Sequence, residues 1–162
     1  MASDDGALPT MDVSFEDLTA ATHGAVRDLI LDGLAEHWGV VDESLNPDPD
    51  DMLTAYRAGR TLVARDHDGR IIGTGTLRPH GDAEAEIVRM SVRRDARRFG
   101  LGRRLVDELI AIARGWGVEA VVLETTTSWT DAVAFYTRCG FDVTHVEVGE
   151  FGSDTWFRLE LQ

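Results

Sequence analysis

The sequence predicts an α/β domain built on a mixed sheet. Apolar spacing switches along the chain between helical and strand periods, giving the order helices, three strands, a Gly/Arg loop, helix, strand, helix, two strands. A short continuous apolar run, "VEAVVLET" (118–125), sits between two helical patterns, as a buried strand does. At 162 residues and 43% hydrophobic composition, one domain fits, able to bury roughly two-thirds of its unfolded surface, and a second has no room. That domain is expected over 11–162, after a polar, frayed "MASDDGALPT".

The elements follow in order. From about Thr22 to Trp38, Val26, Leu29, Ile30, Gly33, Leu34 and Trp38 keep the three-and-four spacing of an amphipathic helix. "NPDPDD" breaks the chain and offers Asp50 or Asp51 as the cap of a short helix through Tyr56. "RTLVARDHDGRIIGTGTL" reads as two strands joined at His67-Asp68-Gly69, and "AEAEIVRMSV" as a third. Leu101, Leu105, Leu109, Ile112 and Trp116 mark the next helix, and "TDAVAFYTRCG" a capped helix that Gly140 ends. "FDVTHVEVGEFGSDTWFRLEL" closes the chain as a hairpin turning near Gly152-Ser153-Asp154, with no internal repeat.

Charge narrows the function. The 29 acidic residues outnumber 16 basic ones, a net charge of −13, which argues against a general nucleic-acid binder because phosphate backbones need a broad basic footprint. All 16 basic residues are arginine. Such a lysine-free acidic surface suits a very salty cytoplasm, the favoured reading, with a GC-rich genome as the alternative. Cys139 is the single cysteine and cannot pair within the chain; no leader-like apolar segment or membrane-length run is present. A soluble cytoplasmic protein is expected. No His/Cys/Asp cluster has metal-ligand spacing, so no metal is assigned.

Against that acidity, six arginines fall within twelve positions, Arg93, Arg94, Arg97, Arg98, Arg103 and Arg104, with Gly100 and Gly102 among them. A strand running into a glycine-bearing turn and a helix presents unpaired amides at the helix start, a ready anion site. Glycines allow close approach to a phosphate, and arginines at a helix start are unfavourable unless an anion is there. No Gly-Lys-Ser/Thr follows, and the third glycine of the dinucleotide motif is missing.

Arg97-Arg98-Phe99-Gly100-Leu101-Gly102 resembles the Arg/Gln-x-x-Gly-x-Gly/Ala loop of the GNAT superfamily of N-acetyltransferases, which bind acetyl-coenzyme A. "AVAFYTRCGF" (132–141) resembles the same superfamily's Ala-x-x-Phe/Leu-Tyr-x-x-x-Gly-Phe helix, and the two motifs stand in order across about 50 residues. The resemblance implies a mixed, mostly antiparallel sheet of about six to seven strands flanked by about four helices. It also implies acetyl-CoA as cosubstrate in a gap beside the strand that ends in "AEIVRMSV".

By resemblance, the Met90 amide polarises the thioester carbonyl, and Ser91 and Val92 hold the pantetheine arm. The amides of Arg98, Phe99, Gly100, Leu101 and Gly102, with the Arg97 and Arg103 side chains, hold the pyrophosphate, and Phe135 lines the cofactor. Tyr136 matches the tyrosine that protonates the departing thiolate. Glu86 is the first candidate for the base, with Glu124, His80 and His145 in reserve; its alternative is a solvent-facing strand carboxylate. Trp129 stands where many relatives carry an asparagine, either stacking on the cofactor or filling core. Cys139 has no motif support and reads as a buried structural thiol.

"LETTTSWTDAVAFY" and "IVRMSV" look most like members that acetylate free amino acids and small amines, with 34–56 covering the acceptor. Arg78, Arg89 and His80 are candidates for an acceptor carboxylate. The expected partner is thus a small-molecule amine, with neither nucleic acid nor membrane; a homodimer stays open. The rivals are a protein acetyltransferase and a non-catalytic acyl-CoA-binding sensor.

Overall fold

The structure is a computed structural model that describes residues 12–161; the segment expected to fray, 1–10, lies outside the described residues. Seven strands form one sheet: β1 (Ser14–Asp17), β2 (Arg60–Arg65), β3 (Ile71–His80), β4 (Glu84–Val92), β5 (Ala120–Thr126), β6 (Asp142–Gly149) and β7 (Gly152–Glu160). Their spatial order is β1-β2-β3-β4-β5-β7-β6. Every neighbouring pair is antiparallel except β4 and β5. The exception follows from chain order, since a helix crosses over between those two strands. Both the mixed sheet and its mostly antiparallel character match the expectation.

Four helices flank the sheet: α1 (Ala20–Trp38), α2 (Met52–Ala55), α3 (Leu101–Trp116) and α4 (Thr130–Arg138). α1 starts two residues before the expected Thr22, because Thr19 is its N-cap and Thr22 answers it, its Oγ1 accepting from the Thr19 amide at 3.0 Å. Asp51 caps α2, accepting from the Thr54 amide. α4 opens at Trp129 without a side-chain cap, unlike the expected capped start. It ends as expected: Gly140 turns at φ +93°, its amide reaching the Thr137 carbonyl while the Phe141 amide reaches that of Tyr136.

The sheet buries both faces. One carries α3 and α4 on a core that includes Leu77, Ile87, Leu101, Leu105, Leu109 and Phe157. Truncating Leu105 or Leu109, both fully buried, to alanine should cost about 2–5 kcal/mol. The other face packs Val26, Ile30, Met52, Tyr56 and Val63 under α1 and α2. Ile112 is half-buried and Trp116 exposed, so the apolar stripe of α3 is deepest at its start, nearest the glycine loop.

Two elements differ from expectation. β1 was not foreseen: four residues, "SFED", carry too little alternation to signal a strand, and β2 makes it one by pairing. The last hairpin turns at Glu150-Phe151, between paired Gly149 and Gly152, rather than at 152–154. Gly152, at φ +121°, ends that turn instead of starting it.

Candidate active site

The site begins where the sheet opens. β4 and β5 pair only at Glu84–Ala120, Ala85–Val121 and Glu86–Val122. Beyond that they separate, leaving a gap between 87–92 and 123–126. On its other side β4 bulges: the ladder to β3 runs Thr76–Val88 and then Thr74–Ser91, skipping Arg89 and Met90 opposite Gly75. Gly75 is needed there, since a Cβ would lie 2.5 Å from the Met90 Sδ and 3.0 Å from Leu109. Ser91 lies under α1, where a Cβ on Gly33 would come within 2.6 Å of its Oγ. Met90, Ser91 and Val92 thus line up along one edge of the opening.

After β4 the chain makes a short 3-10 turn, Arg94–Ala96, and reaches α3 through left-handed residues at Arg98 (φ +76°) and Gly100 (φ +74°). Gly100 is the N-cap of α3 and offers no side chain to its first amides. Those donors and the positive end of a 16-residue helix therefore face outward as an anion cradle. Leu101 is buried and anchors the loop, whereas Phe99 is exposed. Gly102 is small for a second reason: a Cβ would meet the Phe135 ring at 3.1 Å, so α4 packs directly on the loop. The two arginines expected to help hold the pyrophosphate are already engaged. Arg97 donates to the Val92 carbonyl at 3.0 Å and pairs with Glu36 at 2.7 Å, while Arg103 reaches the Arg138 carbonyl at 3.1 Å and Asp107 at 3.4 Å.

Tyr136 projects from α4 into the α3-side core. Its ring packs against Phe135, Phe141 and Phe157 at 5.0, 6.1 and 5.9 Å between centroids. Burial, then neighbouring Cys139, pushes its pKa well up, so the hydroxyl stays protonated. Cys139 is buried, and burial pushes its thiol up too, as fits an inert structural cysteine.

The opposite face holds the carboxylates. Glu86 is not solvent-facing: its side chain is 3% exposed, and Arg78 grips it at 2.8 and 2.9 Å, with His80 at 3.6 Å. Glu124, two residues beyond the last parallel pair, is open to solvent. Partial burial, then the carboxylates of Asp154, Glu86 and Glu147, push its pKa up against the pull of Arg78. The Trp156 ring lies between His80 and His145, stacking on the latter at 5.9 Å.

Both arginines expected to meet an acceptor carboxylate already pair with a carboxylate of this chain. Arg78 is held by Glu86, and Arg89 by Asp48 at 2.7 Å through two nitrogens. Trp129 is half-buried and stacks on His37 of α1 at 4.0 Å, with Trp38 at 5.2 Å. It ties the end of α1 to the start of α4. Nothing local announces the Asp48, Asn46 and Tyr56 cluster around Arg89, because "NPDPDD" reads only as a turn and its partner lies 41 residues away.

A cavity of about 730 Å³ lies between α1 and the β2–β3 turn, lined by Asp28, Asp32, Arg70, Arg93 and Arg94 among others, and it reaches the end of β4 and the glycine loop at Val92 and Arg97. Among the described residues, no three His, Cys, Asp or Glu stand together so as to hold a metal ion, and no helix is long and apolar enough to cross a membrane.

Comparison with known proteins agrees with this geometry. Residues 27–141 match the model of the Acetyltransferase (GNAT) family. A "Probable N-acetyltransferase camello" of Xenopus tropicalis is 32% identical over 118 residues, 70% of this chain and 54% of that protein. The chain spans about half the length of the first curated relatives it matches. Among solved structures, a GNAT-family acetyltransferase of Staphylococcus aureus Mu50 superposes with a TM-score of 0.82 at 17% identity, covering 93% of this chain and 99% of that one. Another, from Elizabethkingia anophelis with acetyl-CoA bound, gives 0.74 at 21% identity over 93% and 99%. At such identities the superpositions show the shared fold.

Proposed function

The chain belongs to the GNAT acetyltransferase family, and from that premise we propose that it transfers an acetyl group from acetyl-CoA to the primary amine of a small molecule in the cytoplasm. One observation carries the reading: the sheet opens between β4 and β5 directly beside the uncapped start of α3. A slot for an extended arm and a cradle for a pyrophosphate are thereby joined. The relative from Elizabethkingia anophelis binds acetyl-CoA, and the donor set here fits the same molecule.

Acetyl-CoA, when bound, supplies the acetyl group as a thioester. The amides of Arg98 to Gly102 hold its phosphates, and the amide of Met90 donates to the carbonyl oxygen, which gains charge as the amine attacks. The amine approaches from the α1/α2 face and must lose a proton. Glu124 takes it, directly or through a water. Glu86, the first choice on sequence grounds, is the poorer base, because a guanidinium already neutralises it and little of it is accessible. Tyr136 lies across the sheet and, kept protonated by burial, gives its proton to the departing sulfur. The C–N bond forms as the C–S bond breaks, and the proton removed on one face is matched by the one delivered from the other.

A panel of primary amines with thiol-release detection, products identified by mass, tests the proposal. Stoichiometric N-acetylated small molecules support it. Turnover only with peptide amines would make the protein a protein acetyltransferase, and tight acetyl-CoA binding without turnover a sensor.

A further inference from the structure

We propose that Arg89 and Asp48 form a latch that holds the β4 bulge in shape and so positions the Met90 amide at the thioester. The proposal rests on the acetyl-CoA reading above.

Arg89 is one of the two residues the β3–β4 ladder skips, and its backbone stands at φ +53°. Side chains with a Cβ rarely adopt that region, and such strain persists only where the surroundings over-determine it. Here they do. Arg89 Nε and Nη2 donate to the two oxygens of Asp48, each at 2.7 Å, and Nη2 also reaches Asn46 Oδ1 at 3.2 Å. A two-pronged guanidinium–carboxylate pair fixes direction as well as distance. The Tyr56 hydroxyl donates to the same carboxylate at 2.5 Å, and the Tyr56 ring lies 6.0 Å from the Arg78 guanidinium.

The pair is half-buried, each side chain 20% exposed. Burial alone would raise the Asp48 pKa, but hydrogen bonds from Arg89 and Tyr56 hold it below the usual carboxylate range. Burial and Asp48 push Tyr56 up to about 12. The ion pair therefore stays charged and the hydroxyl protonated across the working pH range, so the latch is a fixed support and not a pH switch.

Its partners all come from 46–56, within the stretch 34–56 expected to cover the acceptor. That stretch is itself anchored by buried Met52, whose amide donates to His23 Nε2 of α1 at 3.0 Å. Arg89 is thus pinned toward the α2 side, while Met90, the next residue, is pinned across Gly75 toward Leu109 of α3. Neighbouring side chains held on opposite faces fix the peptide plane between them. That plane carries the Met90 N–H.

The test needs no known acceptor. Acetyl-CoA isotope-labelled at its acetyl carbonyl is bound to the protein, its infrared carbonyl band is compared with that in free solution, and affinity is measured by calorimetry. For wild type the band should move to lower frequency, as a hydrogen-bonded carbonyl does. Arg89→Gly removes the guanidinium while tolerating the left-handed backbone, and Asp48→Asn removes the charge. In both, the band should return at least halfway to the free value with affinity within about threefold of wild type. Tyr56→Phe, which loses one hydroxyl, carries the same prediction in smaller measure should a larger change prevent folding. A full band shift retained in the variants, with or without weaker binding, overturns the latch, as does an unshifted band in wild type that still binds. Wild type failing to bind acetyl-CoA would remove the functional reading and the latch with it.

Discussion

At the scale of single residues, the proposed acid, Tyr136, and the proposed base, Glu124, lie on opposite faces of the sheet, and each is testable alone. Tyr136→Phe removes one oxygen and almost no volume. If the hydroxyl protonates the sulfur, turnover should fall by roughly 10²-fold or more while acetyl-CoA affinity holds. Steady-state rates near wild type would return Tyr136 to a packing role among its three phenylalanines. Glu124→Gln should also lower turnover at least tenfold, with no loss of stability expected at an exposed position. The pH profile supplies its signature. A base works only when deprotonated, so kcat/KM should fall as pH drops through a pKa raised above the ordinary glutamate value. That limb should vanish in Glu124→Gln, while the limb of the acceptor's own ammonium group, at higher pH, remains. Glu86→Gln should instead act mainly on stability, because it leaves Arg78 without its carboxylate partner. A loss of turnover larger than that of Glu124→Gln, at full stability, would restore Glu86 as the base.

At the scale of elements, the glycine loop can be probed on its own terms. A Cβ on Gly100 meets open space, so Gly100→Leu should weaken acetyl-CoA at least tenfold while destabilising the fold by only about 1–2 kcal/mol for its left-handed φ. Gly102→Leu should lower both affinity and thermal midpoint, because the new side chain meets Phe135 and moves α4. Unchanged calorimetric affinity in Gly100→Leu would detach the loop from cofactor binding. Much of this architecture was legible beforehand, because loop, helix and strand signals are local: Leu101, Leu105 and Leu109 give the buried side of α3 their own periodicity, and Gly140 stops α4 by backbone freedom alone. What escaped was set by distant partners. β1 exists through pairing with β2. The grip of Asp48 on Arg89 spans 41 residues, and the stacking of Trp129 on His37 joins two helix ends that nothing local connects. The pairing of Glu86 likewise depends on Arg78, a residue of the neighbouring strand.

At the scale of the whole molecule, net charge bears on stability. With a net charge of −13 the folded chain repels itself, and screening relieves that repulsion. The thermal midpoint should therefore rise between low and molar KCl; a flat or falling midpoint would remove salt adaptation and leave genome composition as the source of the arginines. Acid acts in the opposite sense. Asp42, Asp48, Asp66 and Asp95 are all held below the ordinary carboxylate pKa, by hydrogen bonds from Ser44, Arg89, Arg70 and Arg93 among others. Depressed carboxylates stabilise the fold above their unfolded pKa, about 3.9, and that stabilisation is lost as pH falls through the folded values. Unfolding in acid should thus set in below about pH 4, and Asp48→Asn should make stability less steep there. On the proposed function, acetyl-CoA lies in the opening between β4 and β5. A crystal structure of the protein grown with saturating acetyl-CoA tests it most directly. It should show the pyrophosphate on the amides from Arg98 to Gly102, the pantetheine arm between 87–92 and 123–126, and the thioester oxygen within hydrogen-bonding distance of the Met90 nitrogen. Acetyl-CoA in the cavity between α1 and the β2–β3 turn with the gap left empty, or bound nowhere, would contradict it.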